Sequence, residues 1–252
     1  MRIQIASDLH LFHEKTYDFP CIDSDVLVLA GDIAPGSRSI NFAQKIADKH
    51  EKPVLFVAGN HEYYFNNFEQ LHESFKNFSD KSDNVFFLDC DSFEYQGVRF
   101  LGATLWTDYS LGGQFQLSDV MDAATYFIND HVYIKAGLKG NFTPNDAINE
   151  HNKARAFLNA ELTKPYDGKT VVITHHAPSL KCVHPNFGIN LISGAFMSDC
   201  DQLVEKADLW VFGHTHANVD MYIGKCRLVS NQHGYSNEKM PVPFRHDLLI
   251  HV

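Results

Sequence analysis

Five short apolar runs, each ending abruptly in a polar cluster that contains Asp, Asn or His, constrain this chain more than any other feature. They are RIQIA (2–6), DVLVLA (25–30), PVLFVA (53–58), TVVIT (170–174) and DLWVF (208–212). Several lack period-two alternation, as expected of strands covered on both faces. Helical patterns lie between them. Residues 37–50 put Ile40, Ala43, Ile46 and Ala47 on one face, with Pro53 beyond the end. Residues 66–78 repeat Phe68, Leu71, Phe75 and Phe78, and residues 143–164 open with a Thr cap followed by Pro. Strand–helix alternation of this kind predicts a layered α/β fold. Residues 84–103 and 219–252 carry short strands joined by turns such as QG and GK, which read as antiparallel hairpins. The expected architecture is a four-layer α-β-β-α sandwich of two mixed β-sheets flanked by helices, one domain over residues 1–252. Residues 106–152, rich in aromatics and without a core strand, read as a surface insertion or lid within it.

Composition narrows the partners. A net charge of -10 argues against extended nucleic acid or an anionic membrane surface, both of which need a basic footprint. A small anionic substrate held by local positive charge stays open. The five cysteines, Cys21, Cys90, Cys182, Cys200 and Cys226, are scattered with no C-x-x-C, which suits a reducing compartment and argues against a thiolate metal site. No run approaches the ~18 apolar residues of a membrane span. The opening MRIQIASDLH turns acidic too soon for a secretory signal, so a cytoplasmic location is expected.

The polar clusters are the functional signal. The five runs lead into SDLH (Asp8, His10), GD (Asp32), GNHE (Asn60, His61), HH (His175, His176) and GHTH (His214, His216). Each has an ordinary explanation by itself: a turn, a cap, a hydrogen-bonded histidine. Five strand ends that all deliver such groups point to one site, since ligands of open α/β sheets gather at the carboxyl ends of the strands. The donors are carboxylate, amide and imidazole, without thiolate, a set that suits Mn, Fe or Zn in a reactive site. Seven of them exceed what one ion takes while leaving room for water, and suit two transition metal ions about 3.5–4 Å apart that share a carboxylate.

In order, DLH, GD, GNHE, THHAP and GHTH resemble the pattern D-x-H, G-D, G-N-H-[DE], H, G-H-x-H of the calcineurin-like metallophosphoesterase superfamily. The likeness runs from residue 8 to residue 216 and implies the same four-layer fold. It implies that Asp8, His10 and His216 hold one metal, that Asn60, His175 and His214 hold the other, and that Asp32 bridges them. His61 would then face the phosphate, stabilising the transition state or protonating the leaving oxygen, with a metal-bridging hydroxide as nucleophile and no phospho-enzyme. The second motif continues as GDIAPG, without the Asp and Arg of the Ser/Thr protein phosphatases, and the chain lacks the length and basic surface of the superfamily's DNA-repair nucleases. GNHEYY, TLWTD, HHAPS and NQHGY resemble the compact bacterial phosphohydrolases that include cyclic-nucleotide phosphodiesterases.

The expected function is a binuclear metal-dependent phosphoesterase acting on a small phosphomonoester or phosphodiester, nucleotides included. A nuclease and a non-catalytic scaffold on the same fold are the alternatives. Tyr63, Tyr64 and Trp106 are candidates to stack on a base or cover the leaving group, against core packing as the competing reading. His176 is a supporting or substrate-side candidate beside His175. His184, Asn231, His233 and Tyr235 read as turn or supporting residues, His13 as solvent-facing, and Glu62 is unassigned.

Overall fold

VLVLA is buried at every position and sits in the middle of a five-stranded sheet. In the computed structural model, which describes residues 1–12, 17–20, 22–138 and 140–252, that sheet comprises β1 (Arg2–Ala6), β2 (Val26–Ala30), β3 (Val54–Val57), β4 (Val85–Phe87) and β13 (Leu249–His251). Its order is β13-β1-β2-β3-β4, parallel except for β13. The second sheet has six strands: β5 (Asp91–Tyr95), β6 (Val98–Ala103), β9 (Lys169–Thr174), β10 (Leu209–Phe212), β11 (Asp220–Ile223) and β12 (Cys226–Ser230), ordered β11-β12-β10-β9-β6-β5. The two antiparallel edges of this sheet flank a parallel centre. His13 and Cys21 lie outside the described residues.

Alternate residues of each central strand serve different cores, which is why the sequence shows no polar alternation. Ile3, Ile5, Val26, Val28, Leu55 and Val57 meet Phe100, Val171, Ile173, Leu209 and Val211 between the sheets. The intervening Leu27, Leu29 and Phe56 face outward, where Ile40, Ala43, Ile46 and Ala47 of α1 (Arg38–His50) cover them together with Phe68 and Phe75 of α2 (Phe68–Ser79). Each of the Ile, Leu and Phe side chains contributes about 1.5–3 kcal/mol on burial. On the second sheet, α5 (Pro144–Thr163) places Ala154 and Leu158 against the outward face that includes Trp210 and Phe212. Helix starts follow the sequence signals: Asn67 accepts from Gln70 N–H, and Thr143 with Asp146 forms a capping box around Pro144.

The strand pairings correct the reading of two segments. β5 and β6 form the expected hairpin, but β4 adds parallel to β3. Likewise β11 and β12 form a hairpin, whereas β13 crosses to the other sheet and pairs antiparallel with β1, with Arg2 opposite His251. Short apolar runs advertise a strand but not its partner, because partner choice is a contact between distant residues.

Among their described members, residues 106–152 contain no strand of either large sheet. They form a 3-10 turn (Leu111–Gly113), α3 (Leu117–Phe127), α4 (Asp130–Tyr133), the two-residue strands β7 (Lys135–Ala136) and β8 (Gly140–Asn141), and the start of α5. Tyr109, Leu111, Val120, Ala124 and Phe142 are buried in the larger core, while the corner from Phe127 to Asp130 borders the main cleft. The short helix α6 (Asp201–Val204) precedes β10. Among the described residues no helix is long and apolar enough to cross a membrane.

Candidate metal centre

The segments that leave β1, β2 and β10 turn through a backbone conformation that most residues avoid. Asp8, His10, Asp32, His214 and His216 have φ of 54°, 48°, 56°, 72° and 48°. Left-handed φ at a non-glycine residue costs of order 1–3 kcal/mol, and such strain concentrates at functional sites. Here it turns five side chains from three strands toward one point. Two motif glycines make the convergence possible. A Cβ on Gly31 would strike the His175 ring, and one on Gly59 would strike the Asp32 carboxylate. Those glycines are therefore spacers for ligands as well as turn formers.

Among the described residues three overlapping groups of donor atoms result: Asp8, His10 and His216; His10, Asp32 and His61; Asp32, His175 and His214. His10 Nε2 is 3.0 Å from His216 Nε2, and His175 Nε2 is 3.2 Å from His214 Nδ1 and 3.1 Å from Asn60 Oδ1. His175 Nε2 also lies 3.4 Å from Asp32 Oδ1, and His216 Nε2 lies 3.5 Å from Asp8 Oδ1. At metal–nitrogen bonds of about 2.0–2.1 Å, neighbouring ligands stand about 2.9–3.4 Å apart. The observed separations match the edges of such coordination shells.

Tautomers and orientations are set from behind. His175 Nδ1 lies 2.9 Å from Ala30 O, so its N–H is spent there and the Nε2 lone pair faces the cluster. His214 Nε2 approaches Ala195 O at 3.3 Å, leaving Nδ1 to face His175. Asn60 donates from Nδ2 to Asp130 Oδ1 at 2.7 Å, which turns its carbonyl oxygen toward His175. Tyr64 donates its hydroxyl to the same oxygen of Asp130 at 2.8 Å. Glu238 accepts from His216 Nδ1.

Glu62, unassigned from sequence, is fully buried. Its carboxylate accepts N–H groups of Asp32, Ile33 and Ala34 at 2.8, 2.7 and 3.2 Å and that of Gly59 at 2.6 Å. One side chain thus ties the GD loop to the GN loop.

The electrostatics suit a cation. Burial, with the neighbouring Glu62 and Asp8 carboxylates, pushes Asp32 well above the usual carboxylate range. Burial also drives His10 down to about 3 and takes His61 and His214 well below the ordinary histidine value, so these rings are neutral and their lone pairs are available. Burial alone would raise Asp8, but the hydrogen bond to His216 and the charge on that ring hold it well below the usual range. His216 goes the other way: burial lowers it, but Asp8 and Glu238 outweigh that and lift it to about 9. Buried carboxylates facing imidazoles at coordination-edge distances, all but His216 of them held neutral, fit divalent metal ions.

The centre forms the floor of a cleft of about 440 Å³. Of the proposed substrate-side residues, Tyr64 borders the cleft and stacks on His61, with ring centroids 4.2 Å apart. Tyr63 is fully buried and packs on Phe68 and Phe75, so it belongs to the core rather than to a substrate surface. Trp106 is 3% exposed among Phe68, Phe142 and His176, which places it in the core as well. His176 is also buried, its Nδ1 3.2 Å from Thr104 O and its ring 4.3 Å from that of His214. It backs His214 and does not border the cleft. These three follow polar or glycine-containing motifs, yet their rings pack inward, Tyr63 and Trp106 among Phe68, Phe75 and Phe142 and His176 between Trp106 and His214.

Asn231 donates to Ile5 O and Arg245 O, tying the C-terminal segment to β1. His233 N–H donates to Ser7 O beside the first motif. Tyr235 does more than turn the chain: its ring stacks on His10 at 4.3 Å, and its hydroxyl is 3.3 Å from His61 Nε2. His184 borders the cleft mouth, its ring tilted against that of Phe187 with centroids 4.6 Å apart. Asp130 and Glu238 escaped the sequence reading. Neither is part of a strand-end motif, and only their long-range partners reveal them.

A family model described as calcineurin-like phosphoesterase matches residues 1–218. The chain is 28% identical over 274 residues to the uncharacterized protein L509 of Acanthamoeba polyphaga mimivirus, covering 95% of this chain and 93% of the viral protein. Its fold is similar to that of phosphopantetheinyl hydrolase from Mycobacterium tuberculosis, with a TM-score of 0.71 at 19% identity over 92% of this chain and 89% of that one. A dimetal phosphatase from Danio rerio gives a TM-score of 0.53 at 13% identity, with 91% and 86% of the two chains covered. At these identities the two solved structures speak to the fold alone.

Proposed function

The chain belongs to the calcineurin-like phosphoesterase family, and on that footing we propose that it hydrolyses a small phosphate ester at a centre of two transition metal ions, Mn, Fe or Zn. Asp8, His10 and His216 would hold one ion and Asn60, His175 and His214 the other, with Asp32 shared. The supporting observation is the placement of Asp32. Its Oδ1 faces His175 at 3.4 Å while its Oδ2 faces His10 at 3.9 Å, so its two oxygens serve the two donor groups separately. Bound metal ions would supply a lowered pKa for a coordinated water and neutralise charge on the phosphate.

The chain's own residues do the remainder. The Asp32 carboxylate accepts the backbone N–H of His61 at 2.9 Å, so the loop that carries His61 is registered on the centre. The His61 ring is braced by Tyr64 on one face and by the edge contact with His10, and its Nε2 points to the Tyr235 hydroxyl in the cleft. That atom is the donor for a phosphate oxygen or for the leaving alkoxide. Tyr235 offers a second, neutral donor beside it. His61 Nε2 also lies 3.8 Å from Asp32 Oδ2, so replacing His61 and counting the metals separates a donor from a ligand.

The test is protein purified without chelator, assayed for metal content and, in Mn²⁺, for hydrolysis of p-nitrophenyl phosphate, its bis-ester and cyclic nucleotides. Near-stoichiometric transition metal with turnover of at least one ester supports the proposal. Protein that neither retains metal nor gains activity from Mn²⁺ would remove it.

A further inference from the structure

We infer that the substrate is a phosphodiester whose two organic groups are uncharged and flat or apolar, rather than a phosphomonoester or a polyphosphate; this rests on the phosphoesterase reading above. The carrying observation is that each donor group has its own aromatic neighbour. At the end built from Asp8, His10 and His216, the Tyr235 ring stacks on His10 with centroids 4.3 Å apart and planes 25° apart. At the end built from Asn60, His175 and His214, the Phe196 ring stacks on His214 at 4.7 Å and 26°. A phosphate seated between the two groups therefore has an aromatic surface on either side of it. A diester has a substituent to place on each, whereas a monoester has only one.

The cleft beyond the floor continues the same chemistry. The corner after α3 contributes Phe127 and Ile128, and the segment after β9 contributes Val183, Phe187 and Ile192. Phe127 and Phe187 are 71% and 72% exposed, so large apolar faces stand open at the mouth. A cleft of about 440 Å³ falls in the range that encloses ordinary small molecules.

The charged groups that border the cleft besides the ligands are the carboxylates of Asp130 and Glu238. Among the described residues no Lys or Arg borders it. A second phosphate would leave the metals for a wall of aromatic rings and carboxylates, giving up hydration without a cation in return. A singly charged diester gives up least.

The experiment uses the metal-loaded enzyme and compares kcat/KM for bis(p-nitrophenyl) phosphate, p-nitrophenyl phosphate and ATP. The diester is expected to lead the monoester by at least about tenfold, a difference of about 1.4 kcal/mol, and ATP to be slower still. Phe187→Arg puts a cation at an exposed position of the wall, where folding is not at stake, and is expected to narrow the diester-to-monoester ratio several-fold with metal content unchanged. Phe187→Ala is expected to raise KM for the diester. A monoester or ATP turned over as well as the diester, or a ratio indifferent to Phe187→Arg, overturns the inference while leaving the phosphoesterase intact. Metal-loaded protein that hydrolyses none of the three, and no cyclic nucleotide either, removes both.

Discussion

Replacing Asp130 with Ala removes a group that touches no metal in the proposed arrangement, yet it should weaken one metal site selectively. Asn60 can present either its oxygen or its nitrogen to the cluster, and the two differ by a rotation of the amide. Asp130 decides between them by accepting the amide N–H at 2.7 Å in a buried position. A hydrogen bond to a charged partner contributes about 1.5–3 kcal/mol. At about 1.4 kcal/mol per tenfold, its loss corresponds to roughly a 10–150-fold weaker site. Mutation of outer-shell partners of metal ligands typically costs about 10–100-fold, which agrees. Deleting a buried negative charge beside a cation acts in the same direction. Asp130→Asn separates the two contributions, because it removes the charge but keeps an acceptor oxygen, and should lose less than Asp130→Ala.

The assay is a titration of chelator-stripped protein with Mn²⁺ or Zn²⁺ against a competing indicator, with thermal unfolding in chelator as the control for folding. We expect one site to weaken and the site of Asp8, His10 and His216 to keep its affinity. Two sites of wild-type affinity in Asp130→Ala would refute the reasoning. So would equal loss at both sites with a lowered melting temperature in chelator, since Asp130 would then be a general support of the fold.

Asp32→Asn should lose metal and activity together, checked by metal analysis and turnover on the same preparation. His61→Ala should retain both ions and slow turnover by roughly 10²–10⁴-fold; a metal-depleted His61→Ala would instead make His61 a ligand. Glu62→Ala leaves four buried N–H groups without their acceptor. At about 1–3 kcal/mol per unsatisfied group, less what is recovered by no longer burying a carboxylate, chemical denaturation should show a loss of about 3 kcal/mol or more, and a change within about 0.5 kcal/mol would contradict the clamp. Trp106→Ala should cost about 3–5 kcal/mol of stability and leave KM unchanged; an altered KM with unchanged stability would return Trp106 to the substrate.

Most of the candidate donor set was legible because it is locally encoded. A strand covered on both faces is a run of apolar residues, and the residues just past its end sit at the sheet's carboxyl edge. The order Asp8, His10, Asp32, Asn60, His175, His214, His216 could therefore be read as one edge. The same locality made the capping signals of α2 and α5 readable. It failed wherever a residue's role depends on a partner far along the chain. Asp130 acquires its role only from Asn60, 70 residues away, and Glu238 from His216, 22 residues away. Tyr63, Trp106 and His176 belong to segments that hold functional neighbours, and only packing shows the rings of Tyr63 and Trp106 turned inward among Phe68, Phe75 and Phe142, and that of His176 against Trp106 and His214. β4 and β13 are apolar runs like any others until their hydrogen bonds choose a neighbour. Local pattern alone dictates which groups are delivered to the centre, since strand-end position can be read from the apolar runs. The direction each group faces comes from the folded chain, because orientation is set by hydrogen bonds and contacts between residues that only folding brings together.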